Sequence, residues 1–220
     1  MDIKLRDHLR SFLTDKRREL LEEVLSKRTR HFTVATEDVY QMHNTSAVMR
    51  TCDVFGIQDL NVVEENLGKR VDREIAMGAQ KWVDFNRFNS VKSCISDLKD
   101  KGYRIIATTP HKNATFLQDF DVTEKAAFFF GKETDGLSDY VLENANGFLK
   151  IPMYGFTESL NISVSAAIIL QSAVTKLKDS EIDWKLSEEE KYEIEMNWLR
   201  KTIKAAPEII ERYRLGENEV

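Results

Sequence analysis

Between residues 32 and 178 short apolar runs alternate with helical stripes, and no other feature restricts the fold as much. FTVATEDV (32–39), DLNVVEE (59–65), YRIIATT (103–109), KAAFFFG (125–131) and GFLKIPM (147–153) have the length and the β-branched or aromatic content of strands. KWVDFNRF (81–88) is a shorter candidate. Among them lie three helices. HNTSAVMRTCDVFG (43–56) can be capped by Asn44 and closed by Gly56, and Val48, Cys52 and Phe55 share one face at helical spacing. VKSCISDLKDK (91–101) stops at Gly102, and ISVSAAIILQSAVTKLK (162–178) is apolar on most sides, so burial is expected. Strands that alternate with helices predict an α/β fold: a parallel sheet with helices on both faces.

The two ends differ from this body. Residues 1–30 hold nine Lys/Arg against six Asp/Glu, an excess of three positive charges in a chain of net charge −5. Leu9, Phe12, Leu13, Leu20, Leu21 and Val24 recur there at helical spacing, so one or two helices are expected. Arg6, Arg10 and Arg17 fall at i, i+4 and i+11, one helical face that could follow a phosphate backbone. A solvated amphipathic helix would carry the same charges. From residue 179 an acidic helical tail is expected, with Ser187 and Glu190 forming a capping box and Pro207 interrupting the helix. The expected division is therefore a basic helical arm (1–30), an α/β domain (31–178) and a helical extension (179–220).

The remaining composition sets limits. There is no apolar run of eighteen residues, so no membrane span is expected, and MDIKLRDHLR lacks the apolar centre of a signal peptide. Two cysteines without CxxC spacing suit a reduced, cytoplasmic protein without a zinc site. Familiar nucleotide signatures fail. No two glycines stand two apart, which removes the GxGxxG fingerprint, and GKET (131–134) lacks both the Ser/Thr and the upstream glycine of a phosphate loop. Dehydrogenase and kinase chemistry is disfavoured accordingly.

Parallel sheets bind ligands beyond the carboxyl ends of their strands, so the loops that leave the strands carry the search. ATTPH (107–111), FFFGKETDGLS (128–138) and IPMYGFTESLNISVS (151–165) stand out. Taken singly, their glycines could be turn formers, Ser159 or Asn161 a helix cap and Glu133 a surface charge; Arg50 could merely pair with Asp53. Their order is more telling. NTSAVMRTCDVFG, FFFGKETDGLS and IPMYGFTESLNISVSAA resemble, in sequence and spacing, the three motifs of the SPOUT (SpoU) RNA 2′-O-methyltransferases. The resemblance covers nearly the whole chain. It is nearest to the branch that acts on guanosine 18 of tRNA, which has a similar basic arm and a helical tail with a WLR segment, here Trp198, Leu199 and Arg200.

That resemblance implies a C-terminal trefoil knot within the α/β domain, a rare exception to unknotted topology. It implies S-adenosylmethionine bound chiefly by loop backbone, with Thr108, Gly131, Ile151 and Leu160 as cofactor-binding positions. Asn44, Arg50, Glu133, Ser159 and Asn161 match the polar active-site positions. A homodimer with composite sites, a tRNA substrate and no metal are implied as well. The resemblance assigns deprotonation of the ribose hydroxyl to Arg50; a guanidinium is a poor base, so phosphate binding and stabilisation of alkoxide charge are the alternative role. A ribosomal RNA substrate, or a non-catalytic RNA-binding module, are the competing functions.

Overall fold

The computed structural model describes residues 1–39, 42–64, 78–110, 114–132 and 134–216, without the side chains of Met42 and His43. The chain divides into two compact units, Thr29–Trp184 and a second one built from Met1–Arg28 with Lys185–Val220. The arm and the tail, separate in the expected division, share that second unit.

The larger unit is a parallel sheet of seven strands: β1 (Phe32–Glu37), β2 (Asp59–Val63), β3 (Asp84–Phe88), β4 (Arg104–Thr108), β5 (Thr115–Phe116), β6 (Ala126–Phe130) and β7 (Gly147–Lys150). Their spatial order is β3-β2-β1-β6-β4-β7-β5, and every pairing is parallel. Its helices are α3 (Met42–Phe55), α4 (Val91–Asp100), α5 (Asp139–Asn144) and α6 (Ile162–Lys178). β6 explains why its sequence is an unbroken apolar run. Phe128 and Phe130 point to the core shared with Val48, Cys52 and Ile169 of α3 and α6, while Ala127 and Phe129 point to the core of α4 and α5. A strand covered on both faces has no polar side to alternate with.

Helix boundaries follow local chemistry. Gly56 adopts φ 76°, and the Gly56 N–H bonds Asp53 C=O while the Ile57 N–H bonds Cys52 C=O, so a left-handed glycine turn closes α3. Two expectations need correction here. α3 begins at Met42, which places Asn44 inside the first turn rather than at the cap. The spacing of α6, apolar on most sides, suggested a buried helix, yet Val164 and Ile168 are exposed, because α3 and the turn at Leu117–Asp119 cover its other side.

The smaller unit contains α1 (Ile3–Ser11), α2 (Asp15–Ser26), α7 (Glu188–Thr202) and α8 (Ala206–Arg214). Ser187 and Glu190 form the expected capping box on α7, and Pro207 sits in the first turn of α8 after the break. Arg10 of α1 reaches across to α7: its Nε lies 2.6 Å and its Nη2 2.8 Å from the two oxygens of buried Glu195. Fully buried Arg28 lies over the Trp198 ring at 5.3 Å. The continuous basic face expected of residues 6–17 does not exist. α1 ends at Ser11 and a new helix starts at Asp15, whose negative charge suits the first turn. Arg6 and Arg10 therefore share one helix, and Arg17 belongs to another.

Candidate active site

A cavity of about 750 Å³ opens at the carboxyl ends of β4, β6 and β7. That is where the topology of a parallel sheet leaves room, because loops diverge as they leave neighbouring strands. Thr108 closes β4, and its hydroxyl donates to Phe129 C=O at 2.7 Å, fixing the strand end beside β6. Gly131 follows β6. A Cβ at this position would stand 2.2 Å from the carbonyl carbon and oxygen of Gly136, so no side chain fits. The reason is internal to the loop. Lys132 and Gly136 exchange backbone hydrogen bonds of 2.9 and 3.0 Å, folding the segment tightly onto itself, and Gly136 takes φ 71° to do so.

Ile151, Ser159 and Leu160 complete the wall after β7, and Asn161 stands at the start of α6. The Asn161 Oδ1 accepts the Ser163 N–H at 2.9 Å and so caps α6; its Nδ2 donates to Asn44 Oδ1 at 3.1 Å. Asn44 is buried behind that contact and does not line the cavity itself. Of the nine positions assigned by resemblance, six meet at this one cavity and a seventh supports it. Arg50 does not join them: it is exposed on α3 and absent from the lining. Glu133 lies outside the described residues. Arg6, Arg10 and Arg17 belong to the helical unit, where Arg10 is engaged by Glu195 and Glu22.

The cavity also carries charges that the motif comparison passed over, namely Lys132, Asp135, Lys150 and Glu158. Groups with displaced pKa values are elsewhere. Burial pushes the Cys94 thiol up to about 12 on α4, in keeping with a small buried hydrophobe rather than a nucleophile. Burial also holds His31 below its usual range and Asp59 above it. No residue lining the cavity is among these three. Among the described residues no group of three or more His, Cys, Asp or Glu is arranged to hold a metal ion, and no helix is long and apolar enough to cross a membrane.

Known proteins share this sequence and architecture. The profile of the SpoU rRNA Methylase family matches residues 31–171. A tRNA (guanosine(18)-2'-O)-methyltransferase of Borreliella burgdorferi is 37% identical over 196 residues, covering 89% of this chain and 90% of the relative. The Thermus thermophilus protein of that name is 36% identical over 190 residues, 86% of this chain and 98% of its own. The crystal structure of an Aquifex aeolicus TrmH/SpoU tRNA modifying enzyme superposes with a TM-score of 0.78 at 32% identity, over 86% of this chain and 98% of that one. The matched segment spans the whole sheet and every loop of the cavity, and on that ground the chain belongs to the SpoU rRNA Methylase family.

Proposed function

We propose that this protein transfers the methyl group of S-adenosylmethionine to the ribose 2′-hydroxyl of guanosine 18 in tRNA, and that it works as a cytoplasmic homodimer. The observation that carries the proposal is the convergence of Thr108, Gly131, Ile151, Ser159, Leu160 and Asn161 on one cavity. Relatives named for that reaction align over most of both chains. The C-terminal knot implied by the family belongs to the same proposal.

The residues present suit the cofactor. The cavity volume falls within the range of roughly 300–1,000 Å³ of small-molecule sites. Leu149, Ile151 and Leu160 would give an adenine ring apolar surroundings. Lys150 can meet a carboxylate, and Asp135 and Glu158 an ammonium, as an amino-acid moiety requires. When bound, S-adenosylmethionine supplies an electrophilic methyl group on a sulfonium centre.

The protein's task is then to hold a weakly acidic hydroxyl in line with that methyl group and to stabilise the charge that develops on its oxygen. Asn161 and Ser159 line the cavity and present polar groups to an incoming ribose, and Asn44 holds Asn161 in place. Arg50 would bind the neighbouring phosphate and stabilise alkoxide charge rather than act as base, since a guanidinium gives up its proton too reluctantly to accept another from a hydroxyl. Its exposed position on α3, outside the cavity lining, supports the reading that it serves the cavity of a second copy. The surface for such a copy is available: Leu160, Val164 and Ile168 recur every four residues, 41%, 44% and 37% exposed, and Val54 of α3 is 68% exposed. An apolar stripe of this kind costs free energy while it faces water. The helical unit is the proposed tRNA contact, with Arg6 and Arg17 as phosphate-binding candidates.

Calorimetry tests the proposal. S-adenosylmethionine should bind without added metal, while NAD and ATP release no measurable heat. Sedimentation at micromolar concentration should report a dimer that Ile168→Lys converts to monomer. Tight NAD binding without an S-adenosylmethionine signal would overturn the assignment.

A further inference from the structure

β1 leaves the sheet through two successive carboxylates, Glu37 and Asp38, each 5% exposed, and the catalytic proposal uses neither. Both reach the same loop. The Glu37 Oε2 accepts the Ser138 N–H at 2.9 Å, and the Asp38 Oδ2 lies 3.6 Å from Lys132 Nζ. Successive side chains of a strand normally point to opposite faces. Asp38 has φ 44°, a left-handed conformation that is strained for a residue with a Cβ, and the alternation is interrupted there. The Asp38 N–H still donates to Val63 C=O at 2.9 Å, so the strained residue remains anchored to the sheet.

The loop these carboxylates hold is stiff within itself, because Lys132 and Gly136 exchange backbone hydrogen bonds and Gly131 packs directly on Gly136. It is held near its start at Lys132 and at its end at Ser138, whose hydroxyl caps α5. Between those points Thr134, Asp135, Gly136 and Leu137 form one wall of the cavity. We infer, building on the S-adenosylmethionine proposal, that Glu37 and Asp38 are positioning residues that latch the 131–138 loop to the end of β1 and thereby set cofactor affinity. Neither needs to touch the reacting atoms. A buried carboxylate that accepts a backbone N–H fixes the loop in direction as well as distance, and the Asp38–Lys132 pair adds a second point that prevents rotation about the first.

The full-length protein and its Glu37→Ala, Glu37→Gln, Asp38→Asn and Lys132→Met variants should be titrated with S-adenosylhomocysteine in a calorimeter. Glu37→Ala and Lys132→Met should weaken binding by about tenfold or more, and Glu37→Gln, whose amide oxygen can still accept from Ser138, should recover to within about threefold of wild type. KM for S-adenosylmethionine should rise in step while kcat at saturation stays within about threefold, the signature of a displaced wall rather than lost chemistry. Hydrogen exchange at the Ser138 amide, measured without any cofactor, should quicken in Glu37→Ala and be restored in Glu37→Gln. Lys132 is half-buried, so Lys132→Met keeps the test open if Glu37→Ala does not fold. Wild-type affinity in both Glu37→Ala and Lys132→Met would overturn the latch while leaving the cofactor proposal intact. A loss confined to kcat would also overturn it, and a wild-type protein that fails to bind S-adenosylhomocysteine would overturn both.

Discussion

Asn161 and Asn44, 117 residues apart, are joined by a hydrogen bond of 3.1 Å from Asn161 Nδ2 to Asn44 Oδ1, so that one asparagine caps α6 with its oxygen and ties α3 with its nitrogen. Asn44→Ala should lower stability by about 1 kcal/mol, and Asn161→Ala by about 1–2 kcal/mol because the cap is lost as well. A double-mutant cycle by denaturant unfolding should give a coupling energy near 1 kcal/mol. Additive losses would mean that the contact contributes nothing to holding the two helices together. Turnover should fall in both variants by more than cofactor affinity does.

Arg50 is exposed and outside the cavity lining. Arg50→Ala should therefore change neither the melting temperature nor S-adenosylmethionine affinity, yet reduce kcat by at least about a hundredfold. Arg50→Lys should recover part of the loss if charge matters more than the guanidinium fork. Near-normal turnover in the alanine variant would reduce Arg50 to a surface residue.

Removing Arg10 would leave the carboxylate of Glu195, whose side chain is only 4% exposed, without its principal partner. Stranding a buried charge is more costly than losing a surface pair, so Arg10→Ala should destabilise the helical unit by about 2–3 kcal/mol, and Arg10→Ala/Glu195→Leu should recover part of that loss. Arg6→Ala, which loses an exposed pair with Asp7, should change stability by less than about 0.5 kcal/mol. Arg6→Ala should also weaken tRNA binding and lessen its salt dependence, which filter binding at two salt concentrations would measure.

His31 bonds Val122 C=O at 2.8 Å through Nε2, and burial, reinforced by Lys125 and Arg104, holds it below its usual 6.5. The unfolded chain therefore takes up a proton more readily than the folded one. Stability is complete above about pH 6.5 and declines as the pH falls below it, until the folded-state pKa is passed. His31→Gln, which keeps a donor for Val122, should flatten the stability profile between about pH 7 and 5. An unchanged slope would assign the acid sensitivity to other groups.

What could be read from the chain and what could not have distinct physical origins. The limits of α6 were legible because Asn161 and the apolar period are local, and β6 was legible because AAFFF leaves no polar face. β5 is two residues long, too short for any period to register. Six cavity positions were found through motif order, yet the Asn161–Asn44 contact that braces them is nonlocal. So is Arg10–Glu195, separated by 185 residues, which unites the two ends of the chain. Two helices in the arm were among the expectations, but the break at Phe12–Thr14 was not placed because the apolar spacing runs across it. Glu37 and Asp38 fell inside the strand candidate 32–39, and the left-handed turn of Asp38 was not visible in that pattern.

The central claim is methyl transfer to one ribose. Purified protein should be incubated with methyl-labelled S-adenosylmethionine and unmodified tRNA transcript, with bulk ribosomal RNA in parallel, followed by digestion and nucleoside mapping. The account predicts label in 2′-O-methylguanosine at position 18 of the tRNA, abolished by Arg50→Ala. Label on a base, or ribose label confined to ribosomal RNA, would contradict it.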